Sequence, residues 1–247
     1  MMLRIFSIFI TICIYNAEAS SLWDEVRFDK LQSNVTYTIS SGTGFYVNRE
    51  NIVTNRHVVE KCLNIAVRGA VEPQLATLIL VDTELDLALL KVNTPSKRVP
   101  YLRINYDKIS PNDILFTVGY PLDHGKTGDY VVREAKVLHV SDRTDNTKFT
   151  NIQFTDIIDH GNSGGPLLDK NSNIVGVVTS KLTTYDPNDP EHTKASMGMA
   201  IGVDGLIDFL KRNHVFYASN ATYDIFTNYK VERLAKDYVV NIHCVSQ

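Results

Sequence analysis

The chain has little of what would mark a nucleic-acid binder, a membrane protein or a metal scaffold. Its formal net charge is only −3, from 25 basic and 28 acidic side chains in 247 residues. That balance offers no basic face for a phosphate backbone and no acidic tail. Beyond residue 19 no run is long and apolar enough to cross a bilayer. Cysteine is scarce: Cys13, Cys62 and Cys244, none at metal-ligand spacing, which argues against a zinc site. Internal repeats and low-complexity tracts are absent too. What remains is an ordinary globular composition, 44% hydrophobic, long enough for one large all-β domain or two small ones.

Residues 1–19 stand apart from the rest. Arg4 precedes an apolar run, Ile5 to Tyr15, too short to span a membrane comfortably, and Asn16-Ala17-Glu18-Ala19 follows it. Ala17-x-Ala19 fits signal-peptidase cleavage before Ser20, so the mature chain is expected outside the cytoplasm, secreted or periplasmic. In an oxidising compartment Cys62 and Cys244 can pair, tying the C-terminal tail to the first half of the chain; two separate buried thiols are the other reading. Asn34-Val35-Thr36 and Asn220-Ala221-Thr222 are glycosylation sequons, relevant only on a eukaryotic secretory path.

Ser20–Asn34 reads as a short amphipathic helix or arm, with Leu22, Trp23, Val26 and Leu31 apolar. Short β runs follow at Val35–Ile39, Gly44–Val47, Ile52–Thr54, Ile65–Val67, Leu75–Val81 and Leu87–Val92, enough to close a small barrel. Thr94–Pro100 is the candidate linker. A second set covers Ile114–Gly119, Tyr130–Val140, Ile152–Phe154, Pro166–Leu168, Ile174–Ser180 and Met197–Ile201, and Asp204–Arg212 reads as a closing helix. Pro121–Asp129 and Thr183–Ser196 read as long loops. The tail, 213–247, carries a helical stretch near Tyr229–Lys236 and a β-like run, Tyr238–Val245.

Three motifs carry chemistry. Gly161-Asn162-Ser163-Gly164-Gly165-Pro166 sets a serine among glycines that permit unusual dihedrals and close approach of a substrate carbonyl. The N–H groups of Gly161 and Ser163 then share one anion position. A serine hydroxyl needs a base. Thr54-Asn55-Arg56-His57-Val58-Val59 offers His57, and Asp82-Thr83-Glu84-Leu85-Asp86 offers a carboxylate, Asp86, at the edge of the apolar run 87–90. Asp82 and Glu84 are read as surface carboxylates. His124, His139, His192, His214 and His243 are read as structural or exposed.

These motifs, with Ser41-Gly42-Thr43-Gly44-Phe45 and the order His57, Asp86, Ser163, resemble the trypsin-like serine proteases, HtrA/Deg type, over about residues 35–212. The resemblance implies an all-β fold of two six-stranded antiparallel β-barrels: the first about 35–100, the second about 110–203, a helix at 204–212 closing the domain. The active site would lie in the cleft between barrels, with a short N-terminal helix before them and a helical extension, 213–247, after. That extension is too short for the PDZ domain such enzymes generally carry. His57, Asp86 and Ser163 would be the catalytic triad, and Gly161 and Ser163 the oxyanion hole. Ile157, Ile158, His160, Thr179, Ser180 and Lys181 would bind substrate, with small or medium apolar side chains expected before the cut. Asn162 replaces the aspartate that pancreatic-type enzymes pair with a newly cut N-terminus, so that ion pair is not expected as the activating switch. No cofactor or metal is needed. The expected partners are protein or peptide substrates, with no nucleic acid, and no membrane once residues 1–19 are removed. Two other readings keep the same residues: a catalytically latent chaperone-like or binding module, and an esterase.

Overall fold

Val239, Val240, Ile242 and Val245 make a β-branched run near the far end of the chain, a composition that suits a buried strand. The computed structural model describes residues 31, 34–104, 109–121, 129–141, 148–155, 159–186, 189–220 and 226–247. Strands β1 (Thr38–Tyr46), β2 (Asn51–Asn55), β3 (Asn64–Gly69), β4 (Gln74–Asp82) and β5 (Leu87–Lys91) form a closed barrel with β14 (Val239–Ser246). The ring runs β1, β14, β3, β4, β5, β2. A four-residue helix, α1 (Arg56–Val59), follows β2.

The second barrel holds β7 (Ile114–Gly119), β8 (Val131–Ser141), β9 (Asn151–Thr155), β10 (Pro166–Leu168), β11 (Ile174–Asp186) and β12 (Asp189–Gly202). The pairing of β10 with both β7 and β11 closes it. Two short strands, β6 (Tyr101–Arg103) and β13 (Ala218–Asn220), add a parallel pair beside β11. Helix α2 (Val203–Arg212) buries Val203, Leu206, Phe209 and Leu210, and α3 (Asn228–Ala235) leads into β14.

The two barrels share one wiring. Around the second, in chain order, run its first, second, third, sixth, fifth and fourth strands. The first barrel follows the same path if β14 is counted as its first strand. The opening strand of the first barrel is therefore drawn from the end of the chain, and Thr38, where β1 begins, pairs with Ser246.

This corrects the expected boundaries. Val35–Ile39 and Gly44–Val47 are not two strands; one strand, β1, covers residues 38–46. The sixth strand comes from 239–246, so residues 213–247 are not only a helical extension, and the first barrel does not end at 100. The β pattern of the tail was legible, but its partners, β1 and β3, lie far back in the sequence. Thr183–Ser196 is not a loop either: Thr183 pairs with Ser196 and Thr184 with Ala195 across the β11–β12 hairpin. The expected signal peptide, 1–19, lies outside the described residues. Of the expected helix at 20–34 only Leu31 and Asn34 are described, and neither is helical.

Strand β14 is buried along nearly its whole length. A Cβ on Gly44 would meet Ile242 and Ile52, which puts Ile242 on the inner face. On the other face, Asn241 lies opposite Thr43 and Arg68, and His243 opposite Ser41 and Ala66. Ser41 Oγ donates to Asn241 Oδ1 at 2.8 Å. The approach to β14 is pinned as well. Ser96, inside the expected linker, donates to the Asp237 carbonyl at 3.2 Å, and Arg98 pairs with the Asp237 carboxylate at 3.3 Å. Cys62 and Cys244 are bonded, with Cα atoms 5.2 Å apart and a sequence separation of 182.

Two predictions follow from β14. Replacing Cys62 and Cys244 together by serine should lower the unfolding free energy by about 2–5 kcal/mol; urea unfolding of oxidised wild type against the double variant measures it. The second concerns His243. Burial, then the Arg68 charge, pushes its imidazole down from 6.5 to about 4. On acidification the unfolded chain takes that proton first. The His243 contribution to stability is therefore full above about 6.5 and declines as pH falls towards about 4. In His243→Gln that part of the acid slope should vanish, whatever its effect at neutral pH. An unchanged slope between those values would contradict it.

Candidate active site

The first barrel presents His57 on α1, just after β2 ends. Asn55 and Arg56 fix that corner to the turn before β5: Asn55 Nδ2 and the Arg56 N–H both donate to the Asp86 carbonyl, at 3.0 and 2.9 Å. Asp86 has φ of 51°, the left-handed region, which asparagine and aspartate tolerate better than most residues. That conformation lets its carboxylate reach His57 twice. Asp86 Oδ1 accepts the His57 main-chain N–H at 3.0 Å, and Oδ2 lies 2.5 Å from the ring Nδ1. With Nδ1 engaged, Nε2 is the nitrogen left for chemistry.

Asp82 is not the plain surface carboxylate expected of it. Its Oδ1 accepts the N–H groups of Glu84 and Leu85, both at 2.9 Å, and so shapes the turn that delivers Asp86. Its Oδ2 meets Arg212 of α2 at 2.8 Å. Burial alone would push the Asp82 carboxyl up, but the Arg212 guanidinium and the two N–H donors outweigh it and hold it below the usual carboxylate range. A turn in the first barrel is thereby tied to a helix that follows the second. Glu84 is exposed, as expected.

The second barrel presents Ser163 on the turn before β10. Gly161 and Gly164 both have positive φ, 97° and 84°, which glycine adopts without strain. Space is as restrictive as the dihedrals: a Cβ on Gly164 would stand 2.2 Å from Thr54 Oγ1 and 2.3 Å from the Thr43 carbonyl oxygen. The turn is bonded on both sides. Gly164 N–H donates to the Val178 carbonyl and Val178 N–H to the Gly165 carbonyl, while Thr43 N–H crosses from the first barrel to the Ser163 carbonyl at 2.9 Å. Among the described residues, the N–H groups of Gly161 and Ser163 have no backbone acceptor. Ser163 Oγ donates to the Thr179 carbonyl at 3.2 Å.

His57 and Ser163 line one pocket of about 380 Å³, with Asp159, His160, Asn162, Thr179, Ser180 and Lys181. His160, Thr179, Ser180 and Lys181, which the sequence reading expects to bind substrate, thus line this pocket. Ile157 and Ile158, expected to bind substrate beside them, lie outside the described residues. Asp159 was missed; its carboxylate is held by Arg133 at 2.8 Å, and no spacing pattern would have singled it out. Thr43 was quoted within a motif but given no role. Among the described residues no group of three or more His, Cys, Asp or Glu side chains is arranged to hold a metal ion, and no helix is long and apolar enough to cross a membrane.

Comparison with known proteins bears on the family and the fold. The trypsin-like peptidase domain family matches residues 42–177. The chain is similar to the probable periplasmic serine endoprotease DegP-like of Chlamydia pneumoniae: 38% identical over 147 residues, covering 56% of this chain and 28% of that one. It is 29% identical over 202 residues to serine protease HTRA1B of Danio rerio, covering 79% of this chain and 39% of the relative. The chain therefore spans well under half the length of these relatives. Among solved structures, the HtrA-type protease AlgW with a decapeptide superposes with a TM-score of 0.56 at 23% identity, over 69% of this chain and 50% of that one. The protease Rv3671c of M. tuberculosis in its active form gives 0.56 at 21%, over 74% and 82%. At such identities the structural likeness speaks to the fold alone.

The glycine at 164 yields a direct test. Gly164→Ala combines a left-handed dihedral with collisions against Thr54 and the Thr43 backbone. It should cost about 2–4 kcal/mol of unfolding free energy, read by chemical denaturation. A neutral alanine would mean the turn relaxes freely.

Proposed function

The chain belongs to the trypsin-like peptidase family, and on that premise we propose that it is an HtrA-like serine endopeptidase that cleaves peptide bonds through an acyl-enzyme. The observation that carries the reading is the pairing of His57 Nδ1 with Asp86 at 2.5 Å, with His57 lining the same pocket as Ser163. Ser163 Oγ attacks the scissile carbonyl while His57 Nε2 takes its proton. Asp86 holds the imidazole in the required tautomer and stabilises the imidazolium that forms. The N–H groups of Gly161 and Ser163 receive the oxyanion, each such donor being worth about 3 kcal/mol in the transition state. His57 then protonates the leaving amine, and water repeats the cycle in reverse to free the acid. The substrate runs along Thr179, Ser180 and Lys181 as an added strand, which gives affinity with modest sequence demand. Proteins or peptides are the substrates, unfolded or selected secreted chains above all.

The place of action we propose is secreted or periplasmic. Support comes from the leader-like residues 1–19, from a disulfide that an oxidising compartment preserves, and from the periplasmic assignment of the Chlamydia pneumoniae relative.

One observation favours a second reading, a latent form on the same fold. The Ser163 hydroxyl donates to the Thr179 carbonyl, not to His57. Hydrogen bonds of catalytic groups often form only with substrate bound. The two readings part at one experiment. A fluorophosphonate probe should label Ser163, and Ser163→Ala should abolish both label and peptidase turnover, the latter by about a million-fold. Asp86→Asn should lower turnover about ten-thousand-fold, and it is a clean substitution because asparagine accepts the left-handed backbone at 86. A folded wild type that neither labels nor cleaves would put the latent reading first.

A further inference from the structure

We infer that Thr43 is a positioning residue for the nucleophile turn and its oxyanion hole, an assignment that rests on the endopeptidase reading of Ser163. Thr43 lies on β1, in the first barrel, and is completely buried. All its polar groups are bonded, and most of those bonds cross to the other barrel. Its Oγ1 donates to the Gly161 carbonyl at 2.6 Å and accepts the Tyr120 N–H at 3.0 Å. Its N–H donates to the Ser163 carbonyl at 2.9 Å. Its own carbonyl accepts Thr54 Oγ1 at 2.7 Å, a bond within the first barrel.

The physical need is specific. A glycine is required at 161 because φ is 97° there, yet glycine leaves the adjoining peptide planes free to rotate. An oxyanion hole lowers the barrier only if its donors are already aimed when charge develops. Freedom at 161 must therefore be removed from outside the turn. The Thr43 hydroxyl pins the carbonyl of Gly161, and the Thr43 N–H pins the carbonyl of Ser163. The Ser163 N–H lies on the stretch these two bonds bracket, and the Gly161 N–H belongs to the peptide just before it, joined to the pinned Gly161 carbonyl through the Gly161 Cα alone. The Tyr120 N–H, at the end of β7, orients the hydroxyl: with one lone pair occupied, its proton is directed to Gly161. The first barrel thus aims the donors of the second without touching substrate.

Thr43→Val removes the hydroxyl, preserves the shape and leaves the backbone bond to Ser163 in place. It should lower kcat about 10–100-fold with KM nearly unchanged, and slow fluorophosphonate labelling of Ser163 by a similar factor. Thr43→Ser, which restores the hydroxyl, should recover most of both. Thr54→Val is the control: it loses a buried bond to the same residue but none to Gly161, and should reduce stability while kcat holds within a few-fold. If Thr43→Val does not fold, Thr43→Cys, a near isostere of serine with a weaker hydrogen bond, takes its place in the same comparison. The assignment falls if valine turns over like wild type, if serine fails to rescue, or if Thr54→Val depresses kcat as much as Thr43→Val. A wild type that neither labels nor cleaves overturns the endopeptidase reading first, and this assignment with it.

Discussion

The first barrel closes only because a strand from the end of the chain pairs with β1 on one side and β3 on the other. Nearly everything the site needs in that barrel hangs on this closure. Strand β1 carries Thr43, and Thr43 lies opposite Asn241 of β14. The segment after α1, the helix that bears His57, is bonded through Cys62 to Cys244 of the same strand. Ser41 and Asn241 exchange a hydrogen bond across 200 residues of sequence. Pairings of such long range cost loop-closure entropy that local contacts do not. A covalent bond at the same place restricts the unfolded chain and favours the closed barrel.

The shared wiring of the two barrels gives that strand its meaning. The second barrel takes its strands in order along the chain, and the first has the same ring with its opening strand drawn from the far terminus. The start of β1 and the end of β14 are cross-strand neighbours, the arrangement in which moving a terminal strand from one end of a chain to the other leaves a fold intact. The match to the trypsin-like peptidase domain spans 42–177 and stops well short of β14. A boundary placed by that match alone would cut the barrel open.

Between the barrels, chemistry is held by fixing backbone groups more than by burying charge. Asp86 sits in a left-handed turn shaped by Asp82. Ser163 sits in a turn whose glycines make room for the Thr43 carbonyl and Thr54 hydroxyl. Two cross-barrel ties, Thr43 to the serine turn and Arg212 to Asp82, hold the halves in register. The second is half exposed and contributes modestly; the first is buried, where an unmade hydrogen bond is costly.

The motif residues were legible in the sequence because their requirements are local. Glycine where φ is positive, aspartate at the lip of an apolar strand and histidine after a β run each show in a few consecutive letters. The all-β character was legible for the same reason, since β runs and turn residues alternate with short period; the two-barrel arrangement came with the resemblance that the motifs carry. Tertiary structure alone decided the rest. The β run at 239–245 shows its propensity in sequence, but strand pairing is a contact between distant segments, and no local pattern states that its partners are β1 and β3. The role of Asp82 depends on Arg212, and the role of Thr43 on Gly161 and Tyr120, each partner far off in sequence. A residue's conformational preference is written in its neighbours along the chain, whereas the hydrogen bonds that give it work are set by neighbours in space.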